Sequence, residues 1–250
     1  MRFENQGAIV TGGAVGLGWE LSKRLSLEGC RVAIFDRDEI ALARAKEAIQ
    51  GRTGVPFLGL PVDVTSPESV QKGVEQVVET WGRIDILVNC AAIVGITNTK
   101  SHEIPLEDWD RVMLVNAKGS LITSQLALPL MLKAGYGRIL HVASVAGKEG
   151  NAGMVSYSMS KAAVIAMAKC QGKEYAETGI TVNAIAPATI LTPMVASMPP
   201  EQVKYMTDKI PMRRCGTPEE FANLASWIVS PESSFTTGFC FDLTGGRATY

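Results

Sequence analysis

In the stretch "SYSMSKAAV", residues 156–164, Tyr157 and Lys161 stand four positions apart in a segment patterned as a helix. Positions i and i+4 share a helix face, so a phenol and an ammonium placed this way address one point. A phenol with its ordinary pKa of about 10 is a poor base at neutral pH, and proton transfer at a hydroxyl needs a group poised nearer the working pH. A neighbouring ammonium favours the phenolate and supplies that poise. The pair therefore reads as a proton-transfer centre, provided the rest of the chain brings a reactant to it. Tyrosine and lysine at this spacing also arise by chance, so other signals must carry the assignment.

Two come from the N-terminal quarter. "TGGAVGLG", residues 11–18, follows a short apolar run ending at Val10 and opens a helix, so Gly12, Gly16 and Gly18 offer bare backbone to a pyrophosphate at a helix N-terminus. The spacing is G-x-x-x-G-x-G preceded by Thr11, and a ligand-free tight turn would look the same. "AIFDRD" then ends the next apolar run with Asp36, 18 positions after Gly18. A carboxylate there accepts from the adenosine ribose hydroxyls and repels a 2′-phosphate, which favours NAD over NADP. Arg37 pulls the other way, since it could pair with that phosphate. His102 lies in a polar loop and His141 in an apolar strand. No His, Cys, Asp or Glu cluster has ligand spacing, so no metal is expected.

These residues need elements to position them, and the chain supplies an alternation. Strand candidates are 7–10, 31–35, 55–60, 84–89, 137–144, 180–186 and 238–243, and their near-continuous apolarity suits strands covered on both faces. Helix candidates at 16–28, 38–50, 67–81, 106–133, 155–178 and 218–230 lie between them, several opening on signals such as Ser66-Pro67-Glu68 and Thr217-Pro218-Glu219. Strand and helix alternating in this way predict an α/β fold, a Rossmann-type doubly wound parallel sheet of about seven strands with helices on both faces. Its ligands sit outside the carboxyl ends of the strands. The 250 residues, 46% hydrophobic and 20% charged, fit one domain spanning 1–250. A net charge of -1 gives no basic footprint for nucleic acid or membrane, and there is no run of about 18 apolar residues. Five scattered cysteines and the absence of a signal-peptide pattern predict a soluble protein of the reducing cytoplasm.

In order along the chain, the motifs resemble those of the short-chain dehydrogenases/reductases. The family's T-G-x-x-x-G-x-G is Thr11 to Gly18, its adenine-contacting aspartate is similar to Asp63, and its N-N-A-G becomes Asn89-Cys90-Ala91-Ala92. Its helix asparagine resembles Asn116, its serine Ser144, its Y-x-x-x-K Tyr157 and Lys161, and its P-G Pro187-Ala188 followed by Thr192. The resemblance implies that Gly12, Ala14, Gly16, Leu17, Gly18, Asp36, Asp63, Val64, Asn89, Ala91, Pro187, Ile190 and Thr192, with Tyr157 and Lys161, bind NAD. It also implies that Asn116, Ser144, Tyr157 and Lys161 are catalytic. Tyr157 is then the acid/base, its phenolate favoured by Lys161 and by the positive nicotinamide ring, while Lys161 binds the nicotinamide ribose. Ser144 holds the substrate oxygen, and Asn116 anchors a water leading to solvent. Cys90-Ala91-Ala92 stands for N-A-G and Ala188 for glycine, replacing residues that shape backbone, a small change provided the φ angles there are negative.

The same likeness assigns the substrate pocket to Ser144, Asn151, Met154 and Tyr157. It makes 192–214, with Met194, Met198, Met206 and Met212, either an adaptable apolar cover or a segment packed on the domain. Arg213 or Arg214 could meet a substrate carboxylate. It implies a homotetramer paired through 106–133 and 155–178 and through the region from 218 onward, in which the C-terminal "GGRATY" could reach a neighbour's cleft. Three functions are compatible. One is an NAD-dependent dehydrogenase of a small polar secondary alcohol (sugar, sugar acid, polyol or cyclic diol). The second is a 3-oxoacyl-carrier-protein reductase, against which Asp36 counts together with Met154, in place of that family's glutamine, and Gly135 and Thr178, in place of its two carrier-protein-docking arginines. The third is a non-catalytic nucleotide-binding relative.

Overall fold

The computed structural model describes residues 1–50 and 54–250. Among them seven strands, all parallel, stand in the order β3-β2-β1-β4-β5-β6-β7. They are β1 (Gly7–Thr11), β2 (Arg31–Asp36), β3 (Phe57–Pro61), β4 (Ile86–Asn89), β5 (Gly137–Val142), β6 (Ile180–Pro187) and β7 (Cys240–Leu243). This is the expected Rossmann-type doubly wound sheet. The helices are α1 (Gly16–Leu27), α2 (Glu39–Gln50), α3 (Pro67–Trp81), α4 (Leu106–Met113), α5 (Gly119–Ala134), α6 (Val145–Glu149), α7 (Val155–Glu174), α8 (Pro193–Ala196), α9 (Pro200–Asp208) and α10 (Pro218–Ile228).

Alternation along the strands builds two cores. Ala8 and Val10 face α1, α2 and α10 with Leu21, Leu25, Leu42 and Phe221, whereas Ile9 faces α3 and α5 with Val74, Val77, Leu128 and Met131. Each fully buried aliphatic side chain of this kind contributes about 1.5–3 kcal/mol, so a covered two-faced sheet is a rigid base for the loops above it. Start signals act locally. Ser66 caps α3 by accepting from Ser69 N with Pro67 in the first turn, and Thr217 and Glu220 form a reciprocal capping box on α10.

Three elements depart from expectation. The predicted single helix over 106–133 is interrupted by a π turn, Leu114–Lys118, because Asn116 is drawn into bonds with the backbone of Ile93. The helix from 155 ends at Glu174, four residues early, where the chain turns toward Gly179 at φ +77°. The stretch 192–214, which falls between the helix candidates, holds two helices: Thr192 caps α8, and α9 follows. Among the described residues no helix is long and apolar enough to cross a membrane.

Strand order reverses between β1 and β4. Successive connections leave these neighbours in opposite directions, and a crevice opens at their carboxyl ends.

Candidate active site

A cleft of about 630 Å³ occupies this crevice. Its floor is the glycine turn. Gly12 takes φ +59° and lies so close to the β4 loop that a Cβ would come within 2.8 Å of Ala91 Cα, while a Cβ on Gly18 would sit 2.2 Å from the Gly12 carbonyl oxygen. Only bare backbone fits at either place. Thr11 joins the two loops by accepting from the N–H groups of Cys90 and Ala91, both at 3.1 Å. Positive φ among non-glycine residues occurs only at Asn5, Asn98 and Arg213 of the described residues, so Ala91, Ala92 and Ala188 carry no left-handed strain.

Asp36 marks one end of the cleft. Its carboxylate accepts from Ala14 N and Asp38 N, each at 3.2 Å, and so fastens the tip of β2 to the glycine turn with lone pairs to spare. Arg37 is exposed on the same lip and makes no ion pair among the described residues. Gly12, Leu17, Gly18, Asp63, Val64, Ala91, Pro187, Ile190 and Thr192 line the same cleft. A glycine cradle, a carboxylate with free acceptor sites and an apolar slot at Val62 and Val64 fit a dinucleotide. Ala14 acts only through its N–H to Asp36, and Gly16 does not line the cleft. Nor does Asn89: its amide is buried among Ser120, Ser124, Thr123 and His141, tying β4 to α5 and β5.

At the other end the cleft holds Ser144, Tyr157 and Lys161 on one wall. Ser144 ends the β5 loop and caps α6 by accepting from Ala146 N at 3.1 Å. Burial raises the Tyr157 pKa, and the hydrogen-bonded hydroxyl of Ser144 lowers it in part. Lys161 is 3% exposed and donates to the Val142 carbonyl at 2.7 Å, its nitrogen 5.7 Å from the centre of the Tyr157 ring. Burial pulls this ammonium down to about 8. The expected stabilisation of a phenolate by Lys161 is thus not what governs Tyr157 here. The ammonium is turned onto a backbone carbonyl, and desolvation weakens both charged forms. Asn116 lies behind the wall, 1% exposed, accepting from Ile93 N at 2.8 Å and donating to Ser160 Oγ at 2.9 Å. Ser160 in turn donates to the Tyr157 carbonyl at 2.7 Å, which links Asn116 to the turn bearing the phenol. A serine three residues after the tyrosine was the available signal for that link.

The substrate residues expected from sequence fall elsewhere. Asn151 and Met154 do not line the cleft; the Asn151 side-chain oxygen Oδ1 accepts from Arg247 at 3.0 Å, and its Nδ2 faces the Met154 sulfur at 4.0 Å. Of the described side chains in 192–214, Thr192 alone reaches the cleft lining. Met212 lines a second cavity of about 390 Å³, and the side chain of Met194 lies outside the described atoms. Arg213 pairs with Asp208 and Arg214 with Glu220, so neither faces the cleft. The C-terminus docks on its own chain: Lys148 pairs with Asp242 and donates to the Tyr250 carbonyl, and Arg247 pairs with Glu149 at 2.7 Å. Arg111, Leu114 and Val115 line the cleft without any sequence signal beyond their nearness to Asn116.

A doubly wound sheet with a glycine cradle at its switch point and a buried Tyr-Lys pair beside it defines a dinucleotide-dependent oxidoreductase. The chain belongs to the short-chain dehydrogenase/reductase family. The family model described as "Enoyl-(Acyl carrier protein) reductase" matches residues 12–247. The 2-dehydro-3-deoxy-L-rhamnonate dehydrogenase (NAD(+)) of Sphingomonas sp. strain SKA58 is 41% identical, the match covering 100% of this chain and 98% of that one. The 3-oxoacyl-(acyl-carrier-protein) reductase of Thermotoga maritima is 36% identical over 98% of this chain and 99% of its own. The crystal structure of an NAD+-bound xylitol dehydrogenase superposes with a TM-score of 0.93 at 29% identity, covering 98% of this chain and all of that one.

Proposed function

We propose that the protein is an NAD-dependent dehydrogenase interconverting a small polar secondary alcohol, such as a sugar acid or polyol, and its ketone. One observation carries this: Ser144, Tyr157 and Lys161 share a single cleft with the glycine turn and Asp36. Tyr157 takes the hydroxyl proton in oxidation and returns it in reduction. Ser144 holds the substrate oxygen as carbonyl or alkoxide. A bound NAD supplies the hydride acceptor. Gly12, Gly18, Asp36, Asp63 and Val64 would hold it at the adenosine end, and Lys161 at the nicotinamide ribose. Asn116 positions the turn of Tyr157 and anchors the proton exit. The preference for NAD over NADP is supported by Asp36 and by the relatives named for NAD; the unpaired Arg37 reduces it.

The protein is further proposed to be a cytoplasmic homotetramer of single-domain subunits. Its cysteines are free thiols, and Leu121, Leu132 and Met159 expose apolar surface along α5 and α7, as do Phe235 and Phe239 beside β7. Light scattering showing a monomer at all concentrations would overturn this. The alternative, a 3-oxoacyl-carrier-protein reductase, is favoured by the 36% identical relative. Against it, Gly135 caps α5 in a left-handed turn and the Thr178 hydroxyl is bonded to the Tyr175 carbonyl, at the two places where docking arginines would stand. Initial rates with NAD and NADP against 2-dehydro-3-deoxy-L-rhamnonate, xylitol and an acetoacetyl thioester separate the two. Turnover of the thioester alone would replace the first reading by the second.

A further inference from the structure

The loop after β4 forms part of the cleft wall through Ile93 and Val94, and the α4–α5 run holds it at two points. Asn116 holds the near point by bonding both backbone groups of Ile93. Asp108 holds the far point. Only 5% exposed, it accepts from Ile96 N at 3.1 Å through one carboxylate oxygen and from Arg111 at 2.8 Å through the other. The loop is drawn in so closely that Gly95, at φ +73°, has no space for a side chain: a Cβ would lie 2.5 Å from Val112 Cγ2 and 2.8 Å from Asp108 Oδ2. Each holding residue also meets a serine of α7. Asn116 donates to Ser160, and the buried Ser156 hydroxyl lies near enough to Asp108 to help hold its pKa down, although the two fall short of hydrogen-bond geometry. Ser156 and Ser160 bracket Tyr157. Farther along, the loop packs on the α7 approach, where a Cβ on Gly153 would meet Asn98 Cα at 3.0 Å.

An acid in the first turn of a helix commonly just favours the helix dipole. Asp108 does something else with its lone pairs: it reaches out of α4 to a main-chain amide of the cleft loop. The Arg111 pair contributes little, because the arginine is 62% exposed, whereas a buried carboxylate accepting an N–H makes a strong, directional bond. We propose that Asp108 is a positioning residue for the dehydrogenase reaction, clamping Ile96 to α4 so that the loop wall of the cleft and the start of α7 keep a fixed separation. This rests on the assignment of Tyr157 as the acid/base.

Asp108→Ala and Asp108→Asn test it, the second keeping an acceptor of the same shape without charge. Three readouts are needed: amide exchange across 92–99, NADH affinity by fluorescence, and steady-state rates with NAD and either 2-dehydro-3-deoxy-L-rhamnonate or xylitol. In Asp108→Ala, Ile96 exchange should rise and kcat/KM for the alcohol fall, each roughly tenfold, the effect of losing about 1.4 kcal/mol of hydrogen bonding. NADH affinity should change less than about threefold, because Asn116 still holds Ile93, and Asp108→Asn should recover most of both losses. Wild-type exchange at Ile96 in Asp108→Ala, an Asp108→Asn variant as poor as the alanine, or parallel loss of NADH binding would each overturn the clamp. Tyr157→Phe in the same assay keeps the two claims apart. If it remains active the acid/base assignment fails, whereas the exchange readout needs no substrate and still decides whether Asp108 holds the loop.

Discussion

The two rims of the cleft are built on different principles. On the cofactor rim, Gly12 follows β1, Gly18 lies in the first turn of α1 and Asp36 ends β2, and they act through turn geometry and a carboxylate bonded to a turn amide, within some two dozen residues of chain. Behind the substrate rim, the stretch between Ser144 and Tyr157 does not line the cleft, and its Lys148, Glu149 and Asn151 are held by Asp242, Arg247 and Tyr250 from the far C-terminus. A ligand that stays the same can be met by backbone, which tolerates no substitution. The stretch behind the substrate rim is instead braced by side chains from a distant part of the chain, which can change without disturbing the sheet.

Tyr157→Phe should show the largest effect and breaks the comparison if it fails, because the phenol is where the rims meet. Hydride transfer should fall by roughly 10²–10⁴-fold, the usual contribution of a general acid/base, with NAD affinity almost unchanged. Residual turnover above about a hundredth of wild type would remove Tyr157 from the chemistry.

The same contrast explains what was legible in the sequence. The seven strands and the glycine turn at the head of the cleft could be read because strand, turn and helix follow one another locally, and because Gly18 can be nothing else where its Cβ would strike the Gly12 carbonyl. The π turn at Leu114–Lys118 could not be read, since it arises from a bond between Asn116 and Ile93 across 23 residues. Asn151 was assigned to the pocket on its position in the loop, but its partner Arg247 lies 96 residues away and no local pattern announces it. The methionines of 192–214 gave a composition, and composition does not say which way a segment faces.

Lys161→Met sharpens the comparison at the boundary between the rims. The Lys161 pKa is about 8 in the folded chain, below the ordinary 10.5, so between those values the unfolded chain binds more protons and stability rises with pH. The wild type carries the full burden of the buried ammonium below pH 8 and is relieved of it toward pH 10.5. Relative to Lys161→Met it should therefore gain up to about 3 kcal/mol over that window, at 1.36 kcal/mol per pKa unit. Paired thermal melts at pH 7 and pH 10 measure this. A stability gap independent of pH would mean that Lys161 titrates as it does in water. The variant should also bind NAD less tightly; an unchanged dissociation constant contradicts the ribose contact.

Asp36→Ala tests the other end of the cofactor rim. A like-charge pair at 4 Å is unfavourable by roughly 4 kcal/mol at an effective dielectric of 20, and Arg37 offsets part of it. Removing the carboxylate should move the NADP-to-NAD ratio of kcat/KM by at least about tenfold toward NADP. Because Asp36 also accepts from Ala14 N, efficiency with NAD should fall in absolute terms as the glycine turn loosens. A ratio that does not move shows that Asp36 only holds the turn.

Arg247→Ala should give the smallest effect, and its direction is what matters. Arg247 is 10% exposed and joins Glu149 and Asn151, yet Glu149 is 28% exposed, so solvent screens the pair and its loss should change stability by no more than about 1 kcal/mol. If the C-terminus steers the substrate rim, the freed Asn151 side chain and the loop 148–151 will sample more positions, and KM for the alcohol should rise roughly threefold while kcat and the NAD dissociation constant stay put, as expected for uniform binding lost. Removing Tyr250 as well takes two hydrogen bonds from Lys148, which keeps Asp242, and should deepen the same change without adding a new one. A fall in kcat with KM unchanged would mean that the tail acts on the proton-transfer centre itself. A matching loss of NAD affinity would mean that the two rims are one mechanical unit, and the separation between a backbone-built cofactor rim and a side-chain-built substrate rim would then have to be given up.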